Sequence, residues 1–198
     1  MRLGLVSDTH GELENVREAA RRLKNEWRVD VVAHLGDECE DVAALREYWD
    51  GEIVQVPGVY CEHYRDPSVP NRITKEMAGY RILFTHTRGT HSNDLPEDPK
   101  PEDLAARREV DIVAFGHTHV PEIRCEGGVL WINPGHLKDR DKKGHGPSFA
   151  VLDLDPEEVR MRLVDLKSGV VFEEWRGPHP LPPRRGPHQG TGQKDPGR

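Results

Sequence analysis

The feature that most constrains the fold is an alternation of short apolar segments with amphipathic ones near the start of the chain. Residues 3–7 form a short, mostly apolar segment, and residues 13–27 carry apolar side chains at spacings of three and four, as an amphipathic helix does. An apolar segment at 29–35, a helical pattern at 41–49 and an apolar segment at 53–56 follow. This β-α-β-α-β order predicts an α/β fold in which helices cover a sheet.

Predicted strands dominate the next part of the chain. Residues 72–77 and 80–85 flank Ala78-Gly79 and predict a hairpin with a two-residue turn. A helix is predicted at 101–108, because proline is well tolerated in the first turn of a helix. The remaining predicted strands are 112–115, 122–125, 129–133, 148–154, 159–166 and 170–175. The first part of the chain is therefore α/β, and the second is rich in strands.

Length and composition narrow the class of protein. A chain of 198 residues fits one domain, which we predict at residues 1–176. From Gly177 onward the chain has little to bury, so a disordered Pro/Gly-rich tail is predicted at 177–198. The chain has no run of 18 or more apolar residues, and no membrane partner is expected. The formal net charge of −7 disfavours a nucleic-acid partner, and three cysteines at no paired spacing favour a reducing cytoplasm.

Side chains that can bind metal follow closely after several predicted strands. They are Asp8, His10, Asp37, Cys61, Glu62, His63, His86, His117 and His119. The carboxyl ends of parallel strands share one edge of an open α/β sheet, and ligands bind in the crevice at that edge. We therefore expect these groups to converge on one site. Cys39 and Cys125, in contrast, are interpreted as small packing residues.

Spacing adds to this expectation. Asp8 and His10 are two residues apart, as are His117 and His119, so that in extended backbone both members of each pair would point to one side of the chain. Carboxylates and imidazoles without a cysteine pair suit Mn, Fe, Ni, Co or Zn.

The number of candidate ligands predicts two ions rather than one. The candidates are Asp8, His10, Asp37, His86, His117 and His119. They exceed one tetrahedral shell, whereas two ions about 3.5–4 Å apart, bridged by a carboxylate and a water, would use them all. A hydroxide bridging two such ions is a nucleophile near neutral pH, and the ions also hold phosphoryl oxygens. The pattern therefore indicates hydrolysis of a phosphate ester.

At these residues the sequence resembles the calcineurin-like metallophosphoesterases, specifically the small YfcE-type phosphodiesterases. The segments that carry the resemblance are Asp8-Thr9-His10-Gly11, Gly36-Asp37, Thr85-His86, Gly116-His117-Thr118-His119 and Asn133-Pro134-Gly135. They occur in family order between Met1 and about Leu154. The resemblance implies a four-layer αββα sandwich with two mixed sheets. It also implies that Asp8, His10 and His119 hold one metal, that His86 and His117 hold the other, and that Asp37 bridges them.

The third motif departs from the family pattern. The family has Gly-Asn-Cys-Asp, or Gly-Asn-His followed by an acid, where residues 58–62 here read Gly-Val-Tyr-Cys-Glu, so the asparagine ligand is missing. Tyr60 falls where the wider family has a histidine near the leaving group. If the loop holds one extra residue, Cys61 occupies that place instead. Cys61 is therefore a candidate catalytic residue. Glu62 is the candidate replacement ligand because its longer side chain reaches farther than the lost amide.

Two functions follow from this pattern as hypotheses of different classes. The first is a metal-dependent phosphoesterase, with a phosphodiester preferred over a monoester, two divalent ions per chain and Mn as the leading metal. Its partner would be a small phosphoester, and homo-oligomer formation is left open. The second is a catalytically weak or inactive scaffold on the same fold, the role of one eukaryotic relative in this family, the retromer scaffold subunit.

Overall fold

The computed structural model describes residues 1–178. Its strands and α-helices, in chain order, are β1 (Arg2–Val6), α1 (Leu13–Asn25), β2 (Val31–His34), α2 (Val42–Arg46), β3 (Glu52–Gln55), β4 (Arg72–Met77), β5 (Tyr80–Thr85), α3 (Pro101–Ala106), β6 (Ile112–Ala114), β7 (Glu122–Glu126), β8 (Val129–Asn133), β9 (Ser148–Leu154), β10 (Glu158–Asp165) and β11 (Val171–Pro178). Short helical turns lie at Cys39–Asp41 and Glu62–Arg65.

The strands form two mixed sheets. The first has the order β11-β10-β9-β1-β2-β3, in which β1, β2 and β3 are parallel and β9 joins β1 in antiparallel fashion. The second has the order β4-β5-β6-β8-β7, with β5, β6 and β8 parallel. Helices α1, α2 and α3 return the chain between β1 and β2, between β2 and β3, and between β5 and β6, whereas the antiparallel strand β7 lies between β6 and β8 in the chain.

Three apolar clusters show how the layers stack. One cluster lies between the two sheets and joins Leu3 and Leu5 of β1 to Ile82 and Phe84 of β5. A second packs α1 against the outer face of the first sheet, and a third packs Ala105 of α3 against the outer face of the second. The order helix, sheet, sheet, helix confirms the predicted αββα sandwich.

This topology positions the loops that carry the polar residues. The parallel strands of both sheets end at one rim, where backbone hydrogen bonds join loops from different strands. The amide of Asp8, after β1, donates to Gly36 O after β2 at 3.1 Å, and the amide of Gly116, after β6, donates to His86 O after β5 at 3.0 Å. The amide of Leu137, after β8, donates to Asp8 O at 3.2 Å and so joins the two sheets.

A buried ion pair holds the loop between β5 and α3, which borders this rim. The guanidinium of Arg72 in β4 is fully buried and lies 2.7 Å from Asp94 Oδ2, while the hydroxyl of Tyr64 donates to Asp94 Oδ1 at 2.5 Å. Burial opposes ionisation of Asp94, but the hydrogen bond from Tyr64 and the charge of Arg72 outweigh it and lower the pKa of this carboxyl. Asp94 is therefore charged at neutral pH and pairs with Arg72.

Replacing Asp94 with Asn should lower the free energy of unfolding by about 3 kcal/mol at neutral pH, because it leaves a buried guanidinium without its closest partner. Since the folded pKa of Asp94 is below that of an unfolded carboxyl, about 4, its contribution is present above that value and is lost as the pH falls through the folded pKa. Urea unfolding at neutral and acid pH measures both effects. The exposed Asp103→Asn serves as control, and equal losses in the two variants would contradict the assignment.

The carboxyl-terminal boundary differs slightly from the predicted one. β11 runs to Pro178 and so includes Gly177, which was predicted to begin the tail, because this strand pairs with β10 as far as Glu158. The remainder of the predicted tail lies outside the described residues. Among the described helices, none combines the length and the apolar character needed to cross a bilayer.

Candidate metal centre

Six predicted ligand residues meet at the shared rim. Asp8 and His10 follow β1, Asp37 follows β2, His86 follows β5, and His117 and His119 follow β6. Asp8 and His86 are fully buried, and the others are partly exposed. Their ligand atoms form two groups.

The first group comprises nitrogens of His10 and His119 and oxygens of Asp8 and Asp37, all within 4.8 Å of one another. His10 Nε2 lies 3.0 Å from His119 Nε2 and 3.3 Å from Asp37 Oδ2. His119 Nε2 lies 3.2 Å from Asp8 Oδ1. Spacings of roughly 3 Å are those of neighbouring ligands around one ion with bonds of about 2.1 Å.

The second group lies on the other side of Asp37. His86 Nε2 is 3.2 Å from Asp37 Oδ1 and 3.2 Å from His117 Nδ1. Asp37 thus presents Oδ1 to the second group and Oδ2 to the first. A single carboxylate that faces two sets of nitrogen ligands has the geometry of a bridge.

The outer nitrogens of two histidines fix which ring nitrogen faces the site. His86 Nδ1 lies 2.7 Å from the carbonyl oxygen of Leu35, an acceptor, so Nδ1 carries the proton and Nε2 presents its lone pair to the site. His119 Nδ1 lies 2.7 Å from Asp141 Oδ2 and is fixed in the same way. Metal-ligating histidines characteristically make such a second hydrogen bond to a carbonyl or carboxylate.

The hydrogen bonds accepted by the Asp8 carboxylate show whether these residues fit a cation. Its Oδ2 accepts hydrogen bonds from Ser7 Oγ at 2.5 Å and from the amide of His117 at 2.9 Å. Its Oδ1 is buried and accepts no hydrogen bond. The neighbouring His119 Nε2 faces this oxygen with its lone pair. A buried oxygen that faces only other electron donors is costly unless a cation lies between them. The donor set, carboxylate and imidazole, fits a divalent metal ion.

The charges in the site are strongly coupled. The carboxylate of Asp8, assisted by that of Asp141, favours the protonated form of His119 and raises its pKa to about 9, so a cation bound between Asp8 and His119 would replace the proton on Nε2. Burial disfavours the charged form of Asp37, but the neighbouring His86 and His10 favour it more strongly and lower the pKa of Asp37 to about 2. Burial and the neighbouring His86 lower the pKa of His117. The site therefore holds ionised carboxylates that favour positive charge nearby.

Most of these ligand residues have left-handed backbone. Their φ angles are 52° for Asp8, 47° for His10, 55° for Asp37, 69° for His117 and 60° for His119. The expectation that the paired residues are extended is therefore wrong. Tight turns after the strands, rather than strand alternation, aim the side chains, and Asp and His adopt this conformation more readily than most residues. His117 and His119 consequently point into different groups.

Two glycines allow the loops to approach each other. A Cβ on Gly116 would lie 1.9 Å from Ser7 Oγ and 2.7 Å from Asp8 Oδ2. A Cβ on Gly58 would lie 2.1 Å from Asp37 Oδ1. Both positions therefore require glycine because the backbone lies in close contact with carboxylates of the site.

A model described as the calcineurin-like phosphoesterase superfamily domain matches residues 1–157, which include all six residues of the two groups. The chain belongs to this superfamily.

Relatives of this chain include proteins named as phosphodiesterases. A phosphodiesterase of Methanocaldococcus jannaschii is 28% identical over 176 residues, which cover 81% of this chain and 97% of that protein. The structure of the Escherichia coli phosphoesterase YfcE has a TM-score of 0.65 at 20% identity, over 88% of this chain and 98% of that one. A zinc complex of Entamoeba histolytica Vps29 has a TM-score of 0.63 at 22% identity, over 90% and 99%. At these identities the two structures show the fold alone.

The third motif, which departs from the family pattern, contributes no side chain to either ligand group. Val59 is buried, and its carbonyl accepts a hydrogen bond from Asn93 Nδ2 at 2.9 Å. The side chain of Glu62 is 84% exposed and lies 3.7 Å from His63 Nε2. The structure thus directs Glu62 to solvent, and its role as a replacement ligand stays a prediction.

Tyr60 and Cys61 take different directions in the same loop. The ring of Tyr60 is 75% exposed, with its centroid 6.3 Å from that of His117 and 5.9 Å from that of His91. Cys61 Sγ lies 3.4 Å from Cys39 Sγ, and the hydrogen bond from Cys39 lowers the pKa of the Cys61 thiol to about 6. The catalytic role considered for Cys61 stays a prediction.

Two other residues near the site act through neighbours. Asn133 Nδ2 donates to Gly116 O at 2.8 Å, so this side chain holds the loop that carries His117. Asp141, which no sequence pattern marked, is bound to His119. It shares a charged loop with Asp139, and nothing in the sequence shows which of these two aspartates turns inward. The site of this chain therefore includes a carboxylate that positions His119 and that the sequence did not indicate.

Replacing Asp141 with Ala should weaken metal binding about 10–100-fold, because His119 loses the hydrogen bond that fixes its tautomer and ring orientation. Titration with Mn²⁺, followed by calorimetry, measures the change. Asp139→Ala removes the neighbouring, exposed carboxylate and should bind Mn²⁺ as the unaltered protein does. Equal affinity in the Asp141→Ala protein would contradict the positioning role.

Proposed function

We propose that this protein is a metal-dependent phosphodiesterase that holds two divalent cations, Mn²⁺ in the first place, between the two ligand groups. The observation that carries the proposal is Asp37, whose two oxygens face separate sets of nitrogen ligands at 3.2 and 3.3 Å. Two cations at such a site lower the pKa of a water to give a nucleophile near neutral pH and neutralise the phosphoryl oxygens. The names of the related phosphodiesterases support the same reaction class.

The chain's own residues orient the ligands and border the substrate. Leu35 O and Asp141 accept the Nδ1 protons of His86 and His119 and so turn the Nε2 atoms of both rings toward the two ligand groups. Asp37 sets the separation of the two groups. Tyr60 and His91 flank His117 on its exposed side and are placed to contact the group that leaves the phosphorus.

The partner that fits this arrangement is a small phosphoester. The net charge of −7 works against a polyanion as partner, so attraction for phosphate has to come from the site itself. We retain the cytoplasm as the proposed location, and self-association stays a prediction.

Hydrolysis of bis-p-nitrophenyl phosphate tests the proposed function. Protein stripped with a chelator and reloaded with Mn²⁺ should release p-nitrophenol, and the stripped protein should not. Parallel reactions with Ni²⁺, Co²⁺, Fe²⁺ and Zn²⁺ distinguish a protein that requires a metal other than Mn²⁺ from a protein that is inactive. Absence of turnover with every metal would overturn the proposal.

Metal titration should resolve one tight and one weaker site, because the first group offers four protein ligands and the second offers three. Activity should follow occupancy of the weaker site, since both ions are needed to activate the water. Calorimetry of the stripped protein with Mn²⁺ measures both affinities. Two indistinguishable tight sites would contradict the ligand count, and a further loss at the weaker site in Glu62→Ala would assign Glu62 to it.

A second candidate function is a scaffold on the same fold. The specific observation in its favour is the third motif, where Val59 replaces the amide ligand and Glu62 faces solvent. The likeness of fold to Vps29 is compatible with it. The phosphodiester assay separates the two functions, because a scaffold would bind metal without turning over substrate.

A further inference from the structure

Two cysteines lie together beside the metal site. Cys39 begins the helical turn after β2, and Cys61 follows β3, 22 residues later. The Cys39 thiol donates a hydrogen bond to Cys61 Sγ, and the two sulfurs are 3.4 Å apart. Both residues are partly exposed and neither forms a disulfide in this structure. The interpretation of Cys39 as a small packing residue did not include its contact with Cys61.

The surrounding fold holds both cysteines in place. Gln55 Nε2 donates to Cys39 O at 2.9 Å, and the amide of Cys61 donates to Gly58 O at 2.9 Å. The amide of Tyr64, a fully buried residue, donates to Cys61 O at 3.1 Å. The sulfurs are thus held near each other by structured backbone. The two sulfurs of a disulfide are about 2.0 Å apart. Side-chain rotation and a small shift of the loops can shorten the sulfur–sulfur distance from 3.4 Å to this value.

A surface cleft gives reagents access to Cys39. The cleft has a volume of about 380 Å³, and it is lined by Cys39, Glu40, Gln55, Pro57, His63 and Val69. A low-molecular-weight disulfide fits such a space. The pair therefore combines proximity and an ordered backbone with access at Cys39, whereas Cys125, although exposed on β7, is not paired with either of these cysteines.

We propose that Cys39 and Cys61 form a redox-active pair that closes to a disulfide by exchange with a low-molecular-weight disulfide. One cysteine thiolate attacks a sulfur of the reagent, whose S–S bond breaks, giving a mixed disulfide and one released thiolate. The second cysteine, having lost its proton to solvent, attacks the protein sulfur of the mixed disulfide. The Cys39–Cys61 bond forms and the second reagent thiolate leaves. The protein loses two electrons, which reduce the reagent disulfide to two thiols.

The disulfide would couple redox state to the metal site. Cys39 is two residues from Asp37, and the loop that carries Cys61 contacts the Asp37 carboxylate through Gly58. Drawing the sulfurs together moves these loops on both sides of Asp37. Its two oxygens then leave their positions opposite His10 and His86, so oxidation should weaken metal binding.

Oxidised glutathione and the full-length protein test the proposal. A Cys125→Ser protein removes the exposed third thiol and leaves the pair intact. After treatment, both remaining thiols should disappear together, the mass should fall by two hydrogens, and digestion should yield linked peptides containing Cys39 and Cys61. Dithiothreitol should restore both thiols. With Cys39→Ser or Cys61→Ser in the same background, the remaining cysteine should instead keep a glutathionyl group.

The possible results distinguish a redox-active pair from two independent thiols. A stable glutathionyl adduct on the protein with both cysteines, or no reaction where the urea-unfolded protein reacts, would overturn the pair. The linked peptide decides the matter even if a serine variant fails to fold. Mn²⁺ titration of the oxidised protein should show at least a tenfold weaker affinity than that of the reduced protein. Equal affinity with a complete disulfide would overturn the coupling to Asp37.

Discussion

Asp37→Asn should reduce the hydrolysis of bis-p-nitrophenyl phosphate more than a hundredfold while leaving the fold intact. Asn retains the size of Asp but removes the negative charge and one of the two oxygens, which lie 3.2 Å from His86 Nε2 and 3.3 Å from His10 Nε2. A neutral amide cannot bridge two cations, and displacement of reacting groups by about 1 Å costs on the order of a hundredfold in rate. Steady-state kinetics with saturating Mn²⁺ measures the loss.

Two measurements separate this effect from unfolding. The melting curve of metal-free Asp37→Asn should match that of the unaltered protein within a few degrees, but Mn²⁺ should raise its melting temperature far less. Asp50→Asn, which changes a carboxylate that is 90% exposed, should leave both rate and metal response unchanged. Activity above about a tenth of the unaltered rate, with both metals bound, would contradict the bridging role.

Gly58→Ala should cause the second large effect, acting on both stability and metal binding. The added Cβ would lie 2.1 Å from Asp37 Oδ1, 2.5 Å from Asp37 N and 2.7 Å from its Cα. Two of these contacts are to backbone, so no side-chain rotation relieves them, and the loops after β2 and β3 have to separate. Overpacking of this kind costs about 1–3 kcal/mol, and the displaced Asp37 should lower the rate more than tenfold.

Gly146→Ala provides the matched control. Its added Cβ meets only Asp165 Oδ2 at 3.7 Å, an ordinary contact, and its backbone is not left-handed. Urea unfolding and Mn²⁺ titration of both variants should show losses confined to Gly58→Ala. If the Gly58→Ala protein retains the unaltered affinity for Mn²⁺, then the loop after β3 does not set the position of Asp37.

Local patterns sufficed for much of the fold. The hairpin strands at 72–77 and 80–85 and the strands at 129–133 and 148–154 have the predicted bounds, because each is a compact run of β-forming residues ended by turn residues. The helix predicted at 41–49 is instead a helical turn followed by the five-residue α2. Contacts with the rest of the fold fix its end, since the indole of Trp49 donates to Glu52 O at the start of β3.

The site was predictable in its residue types but not in its geometry. Strand ends located Asp8, Asp37 and His86, because their positions follow from topology. Left-handed backbone is uncommon at residues other than glycine, so the sequence did not indicate these turns. The contact of Asp141 with His119 and the proximity of Cys39 to Cys61 each join residues 22 positions apart. No local pattern encodes such pairs, and both require loops to fold in a specific way over the rim.

The left-handed backbone of the ligand residues bears on how the site can be dissected. Alanine at such a position removes a ligand and also adds backbone strain, so an alanine scan there would merge two costs into one number. Asparagine tolerates this conformation and lacks the ligand charge or ring, which makes His10→Asn, His117→Asn and His119→Asn cleaner probes. The same restriction limits these turns to the few residue types that adopt left-handed backbone readily and whose side chains also bind metal.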